Sequence, residues 1–372
     1  MKKIFSLILA MILVVSVAGC GNTTKQEETK AETKKEETKQ EEPKKEEPKK
    51  EEPKQEEPKK EEPKEMTKVR VAYMPNMGSA SSLIAARDYG FFAEQGIEVV
   101  LTKFSGGPAE IAAMASGDID ISQIGHGAHK LCIQGQAVIF QMEASSLSDE
   151  VIGNVERGVK TVADLKGKKV ASTAGTSADI ILTLALESVG LTKDDVEIIE
   201  MDANGVVPAM VSGKIDACAT WSPGTKTILK EMGDKALTLA NNADYVDKAT
   251  FQSSFITTEK YAKSNEDVLV RFAAAIQKAQ ETRLDNLEEV AKMVAKETEI
   301  SEEVMLGTIG ESNWATAGTS FMKKALADGT VKKFYENQQR IFLNAGAIEK
   351  EVPVENYVLF DIMQKAYDLN NK

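Results

Sequence analysis

The sequence predicts an α/β protein of two similar lobes carried behind a long polar leader segment. Three observations support this. Strand-like and helical apolar stretches alternate from Val69 onward; the same order of elements returns about a hundred residues later; and the string Met114-Ala115-Ser116-Gly117-Asp118-Ile119-Asp120 is echoed by Met210-Val211-Ser212-Gly213-Lys214-Ile215-Asp216. Alternation of strand, loop and helix implies a parallel or mixed sheet covered by helices.

The chain opens with Met1-Lys2-Lys3, an apolar run from Ile4 to Val15, and small residues up to Gly19, the layout of a secretory signal over residues 1–19. The apolar run is shorter than the roughly 20 residues a membrane span requires. Cys20, directly after Val17-Ala18-Gly19, resembles a bacterial lipobox, which implies a lipid-anchored chain beginning at Cys20. Residues 20–68 then form a Glu/Pro/Lys tether, with Pro43, Pro48, Pro53, Pro58 and Pro63 at every fifth position. Repeated prolines remove helix hydrogen bonds, and with almost no apolar residues to bury, the tether is expected to stay disordered. Its mean reach as a flexible chain is roughly 40 Å. From Thr23 to Lys68 it holds 16 Glu and 14 Lys, which nearly cancel, and residues 69–372 by themselves carry a net charge of -12. That balance argues against a nucleic-acid partner.

In the first repeat, Val69 to Tyr73 alternates as a strand and a helix follows from Ala80 to Tyr89, closed by Gly90. A strand at Ile97–Leu101, a helix at Ala109–Ala115 and a strand around Ile121 complete it. In the second, Lys169–Ala171, Ala178–Val189, Val196–Ile199 and Ala217–Thr220 repeat the pattern. The expected boundaries are 69–146 for the first part of lobe 1, 147–251 for lobe 2, and 252–372 for the return to lobe 1 with C-terminal helices. Cys132 and Cys218 sit in apolar runs, where a buried thiol is the commoner role and pairing stays open.

Loops between strands and helices face one another across two such lobes, and ligands bind at the carboxyl ends of the strands. Asn76, Ser79, Gly106 and Gly107 before Pro108, Gly127, Thr176, Ser177 and Ser222 before Pro223 all stand near expected helix starts. A helix start offers unpaired N–H groups and a partial positive charge, suited to an anion, and glycine there permits close approach. Trp221 follows a strand at the mouth of the second lobe, where an indole can cover a ligand's methylene portion. His126 and His129 have no accompanying cysteine or carboxylate cluster, so no metal site and no cofactor are expected. His129, one turn beyond His126, is expected to be structural. If the ligand carries an ammonium group, Glu143, after the strand-like run Val138–Met142, is the leading carboxylate to pair with it.

The run from Tyr73 through Ser105-Gly106-Gly107, Ser116–Asp120 and Ile124-Gly125 resembles the nitrate, sulfonate and taurine group of substrate-binding proteins of ABC importers, as do Gly158–Val170 and Ala219-Thr220-Trp221-Ser222-Pro223. The resemblance extends from Val69 to about Ala275. It implies the type II periplasmic binding protein fold, with a cleft between two lobes, and a monomeric, non-enzymatic, extracytoplasmic protein. Its ligand would be a small organic anion, foremost an aliphatic sulfonate or taurine, passed to an ABC permease and its ATPase. His126, directly after Ile124-Gly125 in the family's ligand-contact loop, would donate a hydrogen bond to that ligand, and without a partner for an ammonium the cleft would favour a simple alkanesulfonate over an amino-sulfonate. A thiamine-precursor pyrimidine, nitrate or an aromatic sulfonate are the alternative ligands, and a tethered ligand sensor the alternative role. The chain beyond Ala275 reads as amphipathic helix packed on the first lobe.

Overall fold

The structure, a computed structural model, describes residues Met66–Lys372. The signal at 1–19, the lipidation site Cys20 and all but the last three residues of the tether at 20–68 lie outside the described residues. Among the described residues no helix is long and apolar enough to cross a membrane.

Two sheets organise the molecule. The first contains β1 (Thr67–Tyr73), β2 (Ile97–Lys103), β3 (Ile121–Ile124), β4 (Val138–Ser146), β10 (Gln252–Thr257) and β11 (Ser312–Asn313), in the order β11-β4-β10-β3-β1-β2. The second contains β5 (Asp149–Asn154), β6 (Lys169–Ser172), β7 (Glu197–Glu200), β8 (Ala217–Trp221) and β9 (Ala236–Asn241), in the order β7-β6-β8-β5-β9. The duplication is plain in the pairing. In the first sheet β1 runs parallel to β2 and β3, with β10 antiparallel beside β3. In the second β6 runs parallel to β7 and β8, with β5 antiparallel beside β8.

The repeated string has a physical cause. Gly117 and Gly213 end their helices with φ of 85° and 67°, a conformation that favours glycine. Ile119 and Ile215 are buried two residues later. The aspartates then stitch the chain to the first strand of each repeat, β1 and β6: the Arg70 amide donates to Asp120 Oδ2 and the Lys169 amide to Asp216 Oδ2, both at 2.9 Å. The Asp120 and Asp216 amides return hydrogen bonds to the Arg70 and Lys169 carbonyls.

The chain crosses between sheets twice, from β4 to β5 through Leu147-Ser148 and from β9 back to β10. The C-terminal region packs on the first lobe, where Phe272 of helix Glu266–Asp285 meets Phe92, Phe140 and Phe255. It also reaches further than expected. Helix Thr330–Asn344 joins the Tyr335 hydroxyl to Ser254 of β10 at 2.7 Å, yet its Phe342 is buried in the apolar core of the second lobe. Cys132 and Cys218 are both buried, unpaired thiols.

Candidate functional site

Helix starts from both lobes meet at one point. Helix Met77–Asp88 is capped by Asn76, whose Oδ1 accepts from the Ser79 amide at 2.8 Å. Helix Gly107–Ser116 begins after Gly106 with a proline in its first turn, and a short 3-10 turn begins at His126. From the second lobe, helix Ser177–Ser188 starts after Thr176. These starts surround a cavity of about 40 Å³. Asn76, Ser79, Gly107, His126, Thr176, Ser177 and Trp221 all line it. No lysine, arginine, aspartate or glutamate does, so its polarity comes from main-chain N–H groups, hydroxyls, amides and an imidazole.

Two buried carboxyl groups fix the first-lobe helices to their sheet. Ser82 of helix Met77–Asp88 donates to Glu143 of β4, and Arg283 Nη2 lies 2.7 Å from Glu143 Oε1 with both side chains wholly buried. Arg283 Nη1 also donates to Ser81 at 2.6 Å, and its guanidinium lies 4.3 Å from the Trp314 ring. Glu110, in helix Gly107–Ser116, accepts from Ser122 of β3. Burial pushes the Glu110 carboxyl up to about 8.

Several expectations require correction. Glu143 is not a ligand partner: alternation along β4 sends its side chain to the Arg283 face, while Ala144 and Ser146 line the cavity. Gly127 does not clear space for a ligand. A Cβ at that position would fall 2.0 Å from the Thr176 carbonyl carbon, so the glycine lets the two lobes touch. Gly106 stands beside the cavity, where its Cβ would meet Thr176 Cγ2 at 3.5 Å. Ser79 lies within the first turn and is not the cap, and its Oγ accepts from the Met74 amide at 3.0 Å. Ser222 bonds Thr225 at 2.8 Å, and the helix after it begins only at Gly224.

His126 is buried on the cavity wall, edge-on to Phe251 at 5.1 Å between ring centroids, with no hydrogen-bond partner on either nitrogen. Burial lowers its pKa to about 3, so the ring is neutral and offers one donor and one acceptor. Asp149 Oδ2 lies 4.0 Å from His126 Nε2, too far and with the wrong imidazole charge for an ion pair at neutral pH. Asp149 is instead held by Asn242 Nδ2 at 2.6 Å, and burial, opposed by Ser177, Asn242 and Ser146, raises its pKa to about 6. The Asn242 side chain also donates to the Ser146 carbonyl at 3.3 Å, so this cluster ties both interlobe crossings together. His129 is buried against Gln338 and Tyr335. Among the described residues no group of three or more His, Cys, Asp or Glu is placed to hold a metal ion.

Sequence reasoning missed the polar residues Gln123, Ser146, Ser148, Ser253 and Ser312, which also line the cavity. Ser146 and Ser148 flank the first crossing, and the cluster Ser145-Ser146-Leu147-Ser148 was a legible signal for it. Ser253 and Ser312 arrive from distant parts of the chain, and nothing local marks them.

Ion pairs also join the lobes. Lys226 and Lys230, on helix Gly224–Met232 of the second lobe, reach Glu311 at 2.6 Å and Glu303 at 2.7 Å in the first-lobe excursion that leads to β11.

With this geometry established, comparison with known proteins gives a consistent picture. The family described as NMT1/THI5 like matches residues 79–289. A protein of Brucella abortus (strain 2308), provisionally described as a binding protein, is 32% identical over 293 residues, covering 79% of this chain and 90% of its own. One from Bacillus subtilis (strain 168), provisionally described as aliphatic sulfonates-binding, is 26% identical over 301 residues, covering 78% and 86% respectively. Among solved structures, the alkanesulfonate-binding protein SsuA of Xanthomonas axonopodis pv. citri, bound to MOPS, has a TM-score of 0.61 at 20% identity over 79% of this chain and 99% of that one. That likeness shows the two-lobed periplasmic binding protein fold.

Proposed function

The chain belongs to the NMT1/THI5-like family, and from that premise we propose that it is an extracytoplasmic solute-binding protein that captures a small organic anion, foremost an aliphatic sulfonate, for an ABC importer. One observation carries this reading: three helix starts and a 3-10 turn, drawn from both lobes, converge on a single cavity without a charged side chain. A sulfonate is a permanent anion with three acceptor oxygens. Main-chain N–H groups and hydroxyls satisfy it without the cost of burying a cation beside it. With Glu143 committed to Arg283, the cavity holds no carboxylate for a ligand ammonium, which favours an alkanesulfonate over taurine.

The role is binding and delivery, not turnover. On this reading the contact of Gly127 with Thr176 and the Lys226–Glu311 and Lys230–Glu303 pairs belong to the closed state. Ligand that contacts both lobes stabilises that closed state by its differential contacts, and the permease would read the closed pair of lobe surfaces. A lipid on Cys20 and the tether behind it would hold a monomeric binding domain within reach of that permease at the outer face of the membrane. A second reading, a thiamine-precursor pyrimidine, draws on the unpartnered His126 nitrogens and Gln123 Oε1, a donor and acceptor set that suits a heteroaromatic edge.

Thermal unfolding against alkanesulfonates, taurine, aromatic sulfonates, nitrate, sulfate and the pyrimidine separates these readings, because ligand binding to the folded state raises the melting temperature. A rise with an alkanesulfonate is the expected result. A rise only with the pyrimidine transfers the site to the second reading.

A further inference from the structure

The cavity at the helix starts does not end the cleft. Beyond Trp221 lies a second chamber of about 230 Å³, against about 40 Å³ for the inner one, and Met74, Asn76 and Trp221 line both. Its wall combines Phe104 of the first lobe, Val207 and Pro223 of the second, and Ile300 from the connection between helices Leu287–Thr298 and Glu302–Leu306. No charged side chain lines this outer chamber. Phe104, Val207, Trp221, Pro223 and Ile300 are all partly buried, so apolar surface there remains open to an occupant.

We propose that the site is bipartite, and that its ligand class is a sulfonate whose apolar tail passes Trp221 into the outer chamber. This rests on the sulfonate reading above and narrows it. A two-carbon ligand confined to the inner cavity leaves the apolar wall of the outer chamber wet, whereas a longer alkyl chain or an aromatic ring covers it. A tail ending in an ammonium is poorly matched, because the chamber offers it no carboxylate. Walls supplied by both lobes also mean that a long tail gives the closed state contacts that a short ligand does not.

The test is calorimetric titration of the purified protein with ethanesulfonate, butanesulfonate and hexanesulfonate. Affinity is expected to rise about fourfold for each added methylene, the scale set by burying one such group. Val207→Ser and Ile300→Ser, at partly buried positions in the outer wall, are expected to flatten that rise while leaving ethanesulfonate affinity within about twofold of the parent. If ethanesulfonate binds but affinity is independent of chain length or falls with it, the outer chamber has no ligand role and the sulfonate reading survives. If no sulfonate binds, both fall together.

Discussion

Asp120 in the first lobe and Asp216 in the second do the same work, each accepting from a main-chain amide of the adjoining strand and pairing with an arginine, Arg70 or Arg157. Away from that shared turn the lobes diverge. The first lobe brings two long helix starts and His126 to the cavity, and it locks both helices to the sheet through buried carboxyl groups. The second brings one long helix start, Ser177 and Trp221. It is joined to the first by two crossings, the end of one helix, the Gly127–Thr176 contact and the Lys226–Glu311 and Lys230–Glu303 ion pairs. The first lobe is thus a braced platform whose helix starts are fixed to its sheet, and the second is a lighter element that supplies the rest of the cavity wall.

Removing the brace should have the largest effect. Arg283→Met strands the Glu143 carboxylate in the first-lobe core, and is expected to cost about 3–5 kcal/mol in denaturant unfolding. Combining it with Glu143→Gln should recover much of that loss, since the uncompensated charge goes with the pair. Equal damage from the single and double variants would make Arg283 a packing element and not a brace.

The contact between the platform and the second lobe comes next. Gly127→Ala places a methyl group against the Thr176 main chain and is expected to weaken ligand binding by about 1–3 kcal/mol, roughly fivefold to 150-fold, through obstructed closure. Stability of the ligand-free protein should change far less. Unchanged affinity would show that the ligand-bound lobes do not meet at this point.

Protonation offers a finer probe of the platform. Glu110 has its pKa raised by burial, first and foremost, from 4.5 to about 8. Its contribution to stability is therefore fully present below about 4.5 and is lost as the pH rises through about 8. Glu110→Gln is expected to remove that decline from a series of melting temperatures across the window. A decline that persists in the variant would assign it to other groups. The smallest effect belongs to the exposed interlobe contact Lys230–Glu303: Lys230→Ala should weaken ligand binding by at most about twofold, and the difference should vanish in high salt.

The same contrast marks what the sequence could reveal. Both lobes, their strand and helix order and the two aspartate turns were legible because each follows from local spacing and a glycine that must turn the chain. Seven of the ten expected binding residues line the cavity, since helix starts leave local signatures in Asn76, Gly107 and Thr176. Glu143 misled because its partner Arg283 stands far along the chain, and a buried ion pair has no local signature. Gly127 was recognised as a position requiring close approach, but what approaches it is the other lobe, a tertiary fact. Ser253 and Ser312 reach the cavity only through sheet pairing across distant segments.

The central question for this molecule is whether a small sulfonate occupies the cavity beside Trp221. Calorimetric titration of the protein and of Trp221→Ala with ethanesulfonate tests this in one comparison. The expected result is a saturable one-to-one isotherm whose affinity falls about tenfold in the variant, the scale of a buried aromatic contact. No binding by the parent, or equal binding by both proteins, would contradict it.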